Sequence, residues 1–399
     1  MRGPSLPQST TSASPRSSDV RILYCAIDQR VPGTVGGSTH VQAVAEGLAA
    51  LGHEVHALTG AGDGPFPAGS VQWHAIGTPG GRPQLRLLRA RAVERIARRI
   101  SPDVVIERYH NFGGEGVLAA RRTGARTVLE VNAPIVEVPG SSKSRLDRAT
   151  LVRPLERWRD WQVRHADLVV TPSARIVPAW VPRDRILELE WGADTDRFHP
   201  GAPGRAAWTR EPSTTVAIFA GAFRAWHGAI QLVDATRRLH DAGRTDLRAV
   251  LIGDGPERAA AERAAGAHPG IQFTGALPYE AMPAALAAAD IGVAPFDAAR
   301  HPPLALDFYW SPLKIFEYMA SGLPVVAPAL ERLTRLVTDQ TEGVLYDPSS
   351  AGALDRALVQ ASEPVRRVAM GHAARTRAVR DFSWKAHCAS LDAALRAIV

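Results

Sequence analysis

Apolar positions along the chain switch between two periods. Short continuous apolar runs alternate with stretches in which apolar residues return every three or four positions. The first pattern predicts strands buried on both faces, and the second predicts amphipathic helices. Val20–Ile27 predicts the first strand. The glycine-bearing segment Pro32–His40 follows, and then Val41, Val44, Ala45, Leu48 and Leu51 predict a helix that stops at Gly52. His53–Leu58 reads as the next strand. A strand, glycine loop, helix and strand in that order open a doubly wound parallel sheet. The alternation continues with a helix over about 83–100, a strand at Asp103–Glu107, a helix over about 114–123 and a strand at Thr127–Val131. A long helix around 151–165, the strand Leu168–Thr171 and a short helix near 173–180 complete this half.

The pattern breaks after Trp191. The polar, Gly/Pro-rich stretch to Pro212 reads as a linker. A second alternating set then begins at Thr215–Phe219, with a glycine loop at 221–228 and a helix at 229–242. Strands are predicted at Leu247–Ile252, Ile271–Phe273, Ile291–Ala294, Val325–Ala327 and Gly343–Tyr346, and the segment 351–398 is helical. The expected organisation is a disordered leader 1–18, an N-terminal Rossmann-like domain 19–192, a linker 193–212 and a second Rossmann-like domain 213–375. A final helical segment, 376–399, is expected to return to the N-terminal domain. Two doubly wound α/β domains in succession imply a cleft between them, because open parallel sheets bind ligands beyond the carboxyl ends of their strands.

Within the second half, Tyr309–Val326 concentrates chemistry. Pro312 is placed to open a helix, since its missing N–H costs nothing there. Leu313, Phe316 and Ala320 recur on one face, Gly322 stands where a C-terminal cap belongs, and Pro324 prevents continuation. A loop feeding a helix N-terminus is an anion site, because the first backbone N–H groups lack partners. Lys314 stands at that end with Glu317 one turn later. A cation beside an anion site, followed by a carboxylate able to accept from hydroxyls, suits a phosphorylated sugar or a nucleotide.

Composition narrows the picture modestly. The formal charge of +7 comes almost wholly from arginine, and lysine occurs only at 143, 314 and 385, so Lys314 stands out. Cys25 and Cys388 are the only cysteines, which argues against a disulfide scaffold and fits a reducing cytoplasm. No apolar run approaches transmembrane length, and the Ser/Thr/Pro-rich leader lacks a signal-peptide core. The segment Arg82–Arg99 carries seven arginines with Leu85, Leu88, Val93 and Ile96 as its apolar side. Two readings of it stand: a solvated face on a packed helix, or a weak peripheral contact with anionic lipid. No basic–aromatic platform speaks for nucleic acid.

Several segments together resemble the retaining glycosyltransferases of family 4, which have the GT-B fold. They are Gly36–His40 with Gly52–Val55, Trp191–Pro200, Gly253–Glu257, Phe273–Gly275, Ala289–Pro295 and Tyr309–Val326, in the family's order. The resemblance covers nearly all of the chain after about residue 20. It implies a donor site formed by Gly36, Gly37, Arg224, His227, Gly253, Tyr309, Ser311, Leu313, Lys314 and Glu317. Lys314, Arg224, Asn132 and His110 are the residues expected nearest the chemistry, and Glu317 is assigned to the ribose hydroxyls.

The chain departs from the family pattern at three places. After the first strand of the second domain the family has Gly-Arg and then Lys-Gly; here Gly221-Ala222 and His227-Gly228 stand there, so Arg224 and His227 are the expected substitutes. The first glutamate of the family's Glu-x7-Glu is Tyr309, with Asp307 two residues earlier as an alternative. The family's histidine after the fourth strand is Asn132, with the ionisable Glu130 nearby. These departures put the sugar's hydroxyl pattern in question. The implied activity is metal-independent, retaining transfer of a sugar from a nucleoside diphosphate, a substrate and not a cofactor, to a small-molecule or glycan acceptor. A nucleotide-sugar epimerase and an inactive nucleotide-sugar-binding module are the alternatives. Nucleotide base, sugar, acceptor and oligomeric state stay open.

Overall fold

The computed structural model describes residues 19–33, 35–136, 138, 141, 152–306 and 308–399. The expected leader 1–18 and Asp307 therefore lie outside the described residues. The chain forms two parallel α/β sheets. The first, in spatial order, contains β3 (Gln72–Ala75), β2 (Glu54–Ala61), β1 (Arg21–Val31), β4 (Val104–Arg108), β5 (Arg126–Glu130), β6 (Leu168–Thr171) and β7 (Ile186–Glu188). The second contains β10 (Ile271–Gly275), β9 (Leu247–Ile252), β8 (Thr215–Ala220), β11 (Ile291–Val293), β12 (Val325–Pro328) and β13 (Gly343–Tyr346).

Strand order reverses beside β1 in one sheet and beside β8 in the other. Tyr24 of β1, for example, lies opposite Ala57 on one side and Ile106 on the other. The connections leaving the two neighbouring strands diverge to opposite faces at such a point, and a crevice opens there. The loops leaving β1 and β8 carry the glycine segments 33–37 and 221–228. Central strands are covered on both faces: every residue of β4 is buried, including Glu107 and Arg108. Burying consecutive charged residues is tolerable only if each finds partners, and both do, as described below.

The predicted strands agree with the structure to within a few residues. The short edge strands β3 and β7 were not anticipated, because Gln72-Trp73-His74-Ala75 and Ile186-Leu187-Glu188 offer no buried apolar run. The predicted helix near 173–180 is only a 3-10 turn, Ala174–Ile176. The predicted helix over 83–100 is two pieces, a 3-10 segment Pro83–Arg89 and an α-helix Ala90–Ile100. This break matters: Arg86, expected on a solvated face, is fully buried, while Leu85 and Leu88, expected to face inward, are exposed. A 3-10 segment has three residues per turn, so the α-helical phase of the pattern does not carry through it.

The helix Pro364–Asp381 runs through the boundary expected at 375/376, and the chain returns to the first domain at Phe382–Ser383. There the two interdomain crossings are paired: Ala193 N–H donates to Phe382 O at 2.8 Å and Trp384 N–H donates to Ala193 O at 3.1 Å. The helix Trp384–Ile398 then packs on the helix Gly36–Ala50. A Cβ at Gly47 would stand 2.4 Å from Cys388 Sγ, and His53 Nε2 lies 2.7 Å from Asp392 Oδ1.

Gly253, at the end of β9, has φ 130°, and a Cβ on it would stand 1.9 Å from Gly221 O. Gly243 also has positive φ, 88°, but open space around it. Gly253→Ala is therefore expected to cost about 2–3 kcal/mol or more, from strain and clash together, and Gly243→Ala about 1 kcal/mol. Thermal unfolding of both variants checks this. Equal losses would mean that the Gly221–Gly253 contact contributes nothing.

Candidate functional site

The floor of the cleft is built by the second domain. β8 ends at Ala220, and the loop Gly221–Gly228 turns into the helix Ala229–Asp241. Gly228 has φ 71°, and a Cβ there would stand 1.8 Å from Pro295 O, so no side chain fits the turn. The helix Leu313–Ala320 approaches from the other side of the strand reversal, with Pro312 as its N-cap and Gly322 at φ 74° just past its end. Lys314 on its first turn aims its Nζ at the Gly221 loop. A Cβ at Gly221 would meet Nζ at 2.9 Å and His227 Nδ1 at 3.6 Å.

Nothing in the protein answers that ammonium with a hydrogen bond. Lys314 Nζ is shielded from solvent without a partner, and so is His227 Nδ1. Its neighbours are ring faces: Phe219 at 4.3 Å and Phe296 at 5.3 Å from Nζ to centroid. Aromatic faces attract a cation but replace only part of its lost hydration. Burial accordingly pushes the Lys314 ammonium down to about 7, with Glu317 pulling the other way. Burial pushes Glu317 up to about 8, with Lys314 opposing. Burial, then Lys314, holds His227 far below the usual histidine range, so its imidazole is neutral. The arrangement is two buried polar nitrogens converging on a loop that lacks side chains, beside a helix N-terminus. That is a cradle for an anion.

The structure gives the other expected donor residues more varied surroundings. Leu313 is where the two domains meet: a Cβ at Gly36 would stand 3.2 Å from Leu313 Cδ1 and 3.7 Å from Trp191 Cζ3. Gly37 backs onto Gln29, whose Oε1 would lie 2.2 Å from a Cβ there. Gly253 supports the floor through its contact with Gly221. Tyr309 is buried, its hydroxyl pushed up to about 12 by burial, and Trp310 beside it is 39% exposed. Arg224 lies on the exposed rim of its loop, near enough for its charge to act on both His227 and His301.

Ser311 has a different task from the one expected. Its hydroxyl accepts from Trp191 N–H at 2.9 Å and donates to Glu190 Oε2 at 2.9 Å. Glu190 is also held by Arg332, whose Nε lies 3.1 Å from Oε1 and whose Nη1 donates to Phe308 O at 3.0 Å and Trp310 O at 2.9 Å. This network stitches the Tyr309–Pro312 loop to the interdomain crossing. Glu190 and Arg332 escaped the sequence reading because the pairing joins residues 142 positions apart.

The first domain supplies the facing wall. Asn132 Oδ1 accepts from Trp191 Nε1 at 2.9 Å, and its Nδ2 donates to Glu130. Glu130 also accepts from Arg108 Nη1 at 2.6 Å and from the Tyr24 hydroxyl. His40 stacks on Trp191 with ring centroids 4.4 Å apart, and burial, then Arg108, holds it well below its usual range. His110 is not part of this network. Its Nδ1 accepts from Phe112 N–H at 3.2 Å, and burial and Arg86 lower its pKa. Arg86 itself reaches Asp28 at 2.7 Å, Glu107 at 2.9 Å and Glu115 at 2.6 Å. Burial and Glu115 push Glu107 up to about 8, against the pull of Arg86.

Two family models match, one described as Glycosyltransferase Family 4 over residues 35–186 and one as Glycosyl transferases group 1 over residues 214–363. A GDP-mannose-dependent alpha-(1-6)-phosphatidylinositol dimannoside mannosyltransferase of Mycobacterium tuberculosis is 32% identical, over 52% of this chain and 51% of its own. The corresponding monomannoside mannosyltransferase of Mycolicibacterium smegmatis is 26% identical over 70% of this chain and 74% of its own. The chain thus spans about half the length of the first of these relatives. The solved sucrose-phosphate synthase of Thermosynechococcus elongatus superposes with TM-score 0.73 at 18% identity, covering 95% of this chain and 99% of its own, and shares the GT-B fold.

Removing Arg86 would leave three carboxylates confronting one another. Arg86→Met is expected to cost about 3–5 kcal/mol at neutral pH. In that variant Glu107 and Glu115 would have folded-state pKa values above their unfolded ones, so stability should recover as pH falls toward 5 and decline as it rises. Denaturation midpoints across pH test the sign.

Proposed function

Because the chain belongs to glycosyltransferase family 4, we propose that it moves a sugar from a nucleoside-diphosphate donor to an acceptor with retention at the anomeric carbon and without a metal. The observation that carries this reading is the pair of buried, unpartnered nitrogens, Lys314 Nζ and His227 Nδ1, meeting at Gly221. A diphosphate there gives both a hydrogen-bond acceptor and gives the ammonium its counter-charge. Breaking the glycosyl–phosphate bond builds negative charge on the leaving oxygen. Lys314, the N–H groups at the start of the helix Leu313–Ala320 and the mobile reach of Arg224 are aimed at that charge, which lowers the barrier.

Glu317 accepts from the two ribose hydroxyls in this reading. On the facing wall Asn132 is locked by Glu130 and Trp191, and the second N–H of its amide is left to meet a sugar hydroxyl. The acceptor attacks from the face the diphosphate leaves, through an oxocarbenium-like transition state, and the departing phosphate oxygen takes the acceptor's proton. The protein positions the reactants and closes the cleft against water. The relatives named as GDP-mannose-dependent mannosyltransferases of phosphatidylinositol mannosides support a glycolipid acceptor and make GDP-mannose the first donor to try.

Incubation with GDP-, UDP-, ADP- and dTDP-sugars and a glycolipid acceptor, followed by NMR of the product's anomeric configuration, tests the reaction. An inverted product, or isomerised donor without transfer, would reject it. Lys314→Met and Glu317→Gln are each expected to weaken donor binding about 10- to 100-fold, the worth of a charged hydrogen bond. The pH dependence is also fixed. Lys314 titrates near 7 in the empty cleft and a diphosphate raises that value, so binding takes up a proton and weakens as pH rises above 7. Glu317 titrates near 8 and ribose hydroxyls lower that value, so binding releases a proton and weakens as pH falls below 8. Affinity by calorimetry should peak between about pH 7 and 8, and Lys314→Met should lose the alkaline decline.

A further inference from the structure

We propose that the segment Arg82–Arg91 of the first domain is a foot that seats this protein on an anionic lipid bilayer. The observation is an exposed apolar cluster inside a strongly basic run. Leu85 and Leu87 are each 37% exposed and Leu88 is 72% exposed, an unusual concentration of bare leucine within four positions. Arg82, Arg89 and Arg91 around them are exposed, and no acidic residue occurs from 79 to 93. Arg91 falls three and four residues after Leu88 and Leu87, so the charges stand next to the leucines. Arg82 and Arg91 make no ion pair among the described residues, and Arg89 is engaged only through Nε, on Gly77 O at 3.0 Å.

The foot is rigidly mounted. Arg86, between the leucines, points the other way and is clamped by Asp28, Glu107 and Glu115, all mostly or fully buried. The leucines are thereby fixed facing outward and cannot fold back to cover themselves. Apolar side chains ringed by arginine complement a bilayer surface: the leucines enter the acyl boundary while guanidinium groups meet headgroup phosphates. A second protein would need an acidic apolar face, and nothing in this chain offers one in a second copy. Among the described residues no helix is long and apolar enough to cross a membrane, so contact here is by lying on the surface. Asp28, the outermost of the three carboxylates, belongs to β1, whose end also carries Gln29 against Gly37. The foot is thus one buried ion pair away from the acceptor wall of the cleft. Presentation of a lipid-borne acceptor to that wall rests on the function proposed above; the docking does not.

Sedimentation of the full chain with phosphatidylglycerol/phosphatidylcholine vesicles, with no donor present, tests the docking alone. The protein should pellet with anionic vesicles, weakly with phosphatidylcholine alone, and less at high salt. Leu87→Gln with Leu88→Gln should reduce partitioning by at least about tenfold, as expected for apolar side chains kept out of lipid. Arg89→Glu with Arg91→Glu should reduce it by at least about tenfold and only on anionic vesicles, at roughly fivefold for each arginine lost from the surface. Val365→Gln with Val368→Gln, exposed valines of the second domain, should change nothing. Unchanged thermal unfolding will show that the exposed substitutions leave the fold intact. Equal partitioning of wild type and leucine variant, no pelleting by either, or a leucine-dependent change in oligomeric mass would overturn the proposal. Loss of transfer with intact vesicle binding would instead count against the proposed reaction.

Discussion

The cleft is organised around an ammonium group with no hydrogen-bond acceptor. Shielding a lysine nitrogen without a counter-ion is among the more costly arrangements a fold can hold. The surroundings of Lys314 each reduce that cost without removing it. Phe219 and Phe296 offer ring faces, Glu317 offers opposite charge, and Gly221 keeps the space open by having no side chain. His227 is neutral because the same pocket excludes a second charge. What remains unmet is a demand for an anion in one place, and the geometry of the second domain follows from keeping that place vacant of protein atoms.

Such a pocket is useful only if the other domain stands in register with it. The interdomain crossings achieve this with few residues. Ala193 pairs with Phe382 and Trp384 at the backbone, Trp191 donates to Ser311 from its main chain and to Asn132 from its ring, and Arg332 clamps Glu190 against the Tyr309–Pro312 loop. The loop that shapes the donor site is therefore tied to the hinge itself. Any rotation of the domains moves the loop and the first-domain wall together, which is how closure can be coupled to donor occupancy.

The wall of the first domain draws its order from the alternation of a strand. Consecutive residues of β4 point to opposite faces. Glu107 goes one way, into the Arg86, Asp28 and Glu115 cluster, and Arg108 goes the other, to Glu130 and His40. Two separate buried charge networks thus leave one strand end. One holds the cleft wall and the other holds the outer segment with its exposed leucines.

Sequence alone determined what depends on neighbours in the chain. Strand runs such as Leu247–Ile252, the glycine loops after β1 and β8, and the helix that starts at Leu313 with Gly322 beyond its end all follow from local periodicity, caps and the needs of positive φ. The placement of Lys314 and Glu317 on one helix turn is equally local. The tertiary structure decided what depends on distant partners. Arg86 reads as one of many surface arginines until Asp28, Glu107 and Glu115 surround it, and Ser311 reads as a ligand contact until Glu190 and Trp191 claim its hydroxyl. Burial of a charge or a hydroxyl is settled by the partners that compensate its lost hydration, and those partners come from elements brought together only when both sheets are assembled.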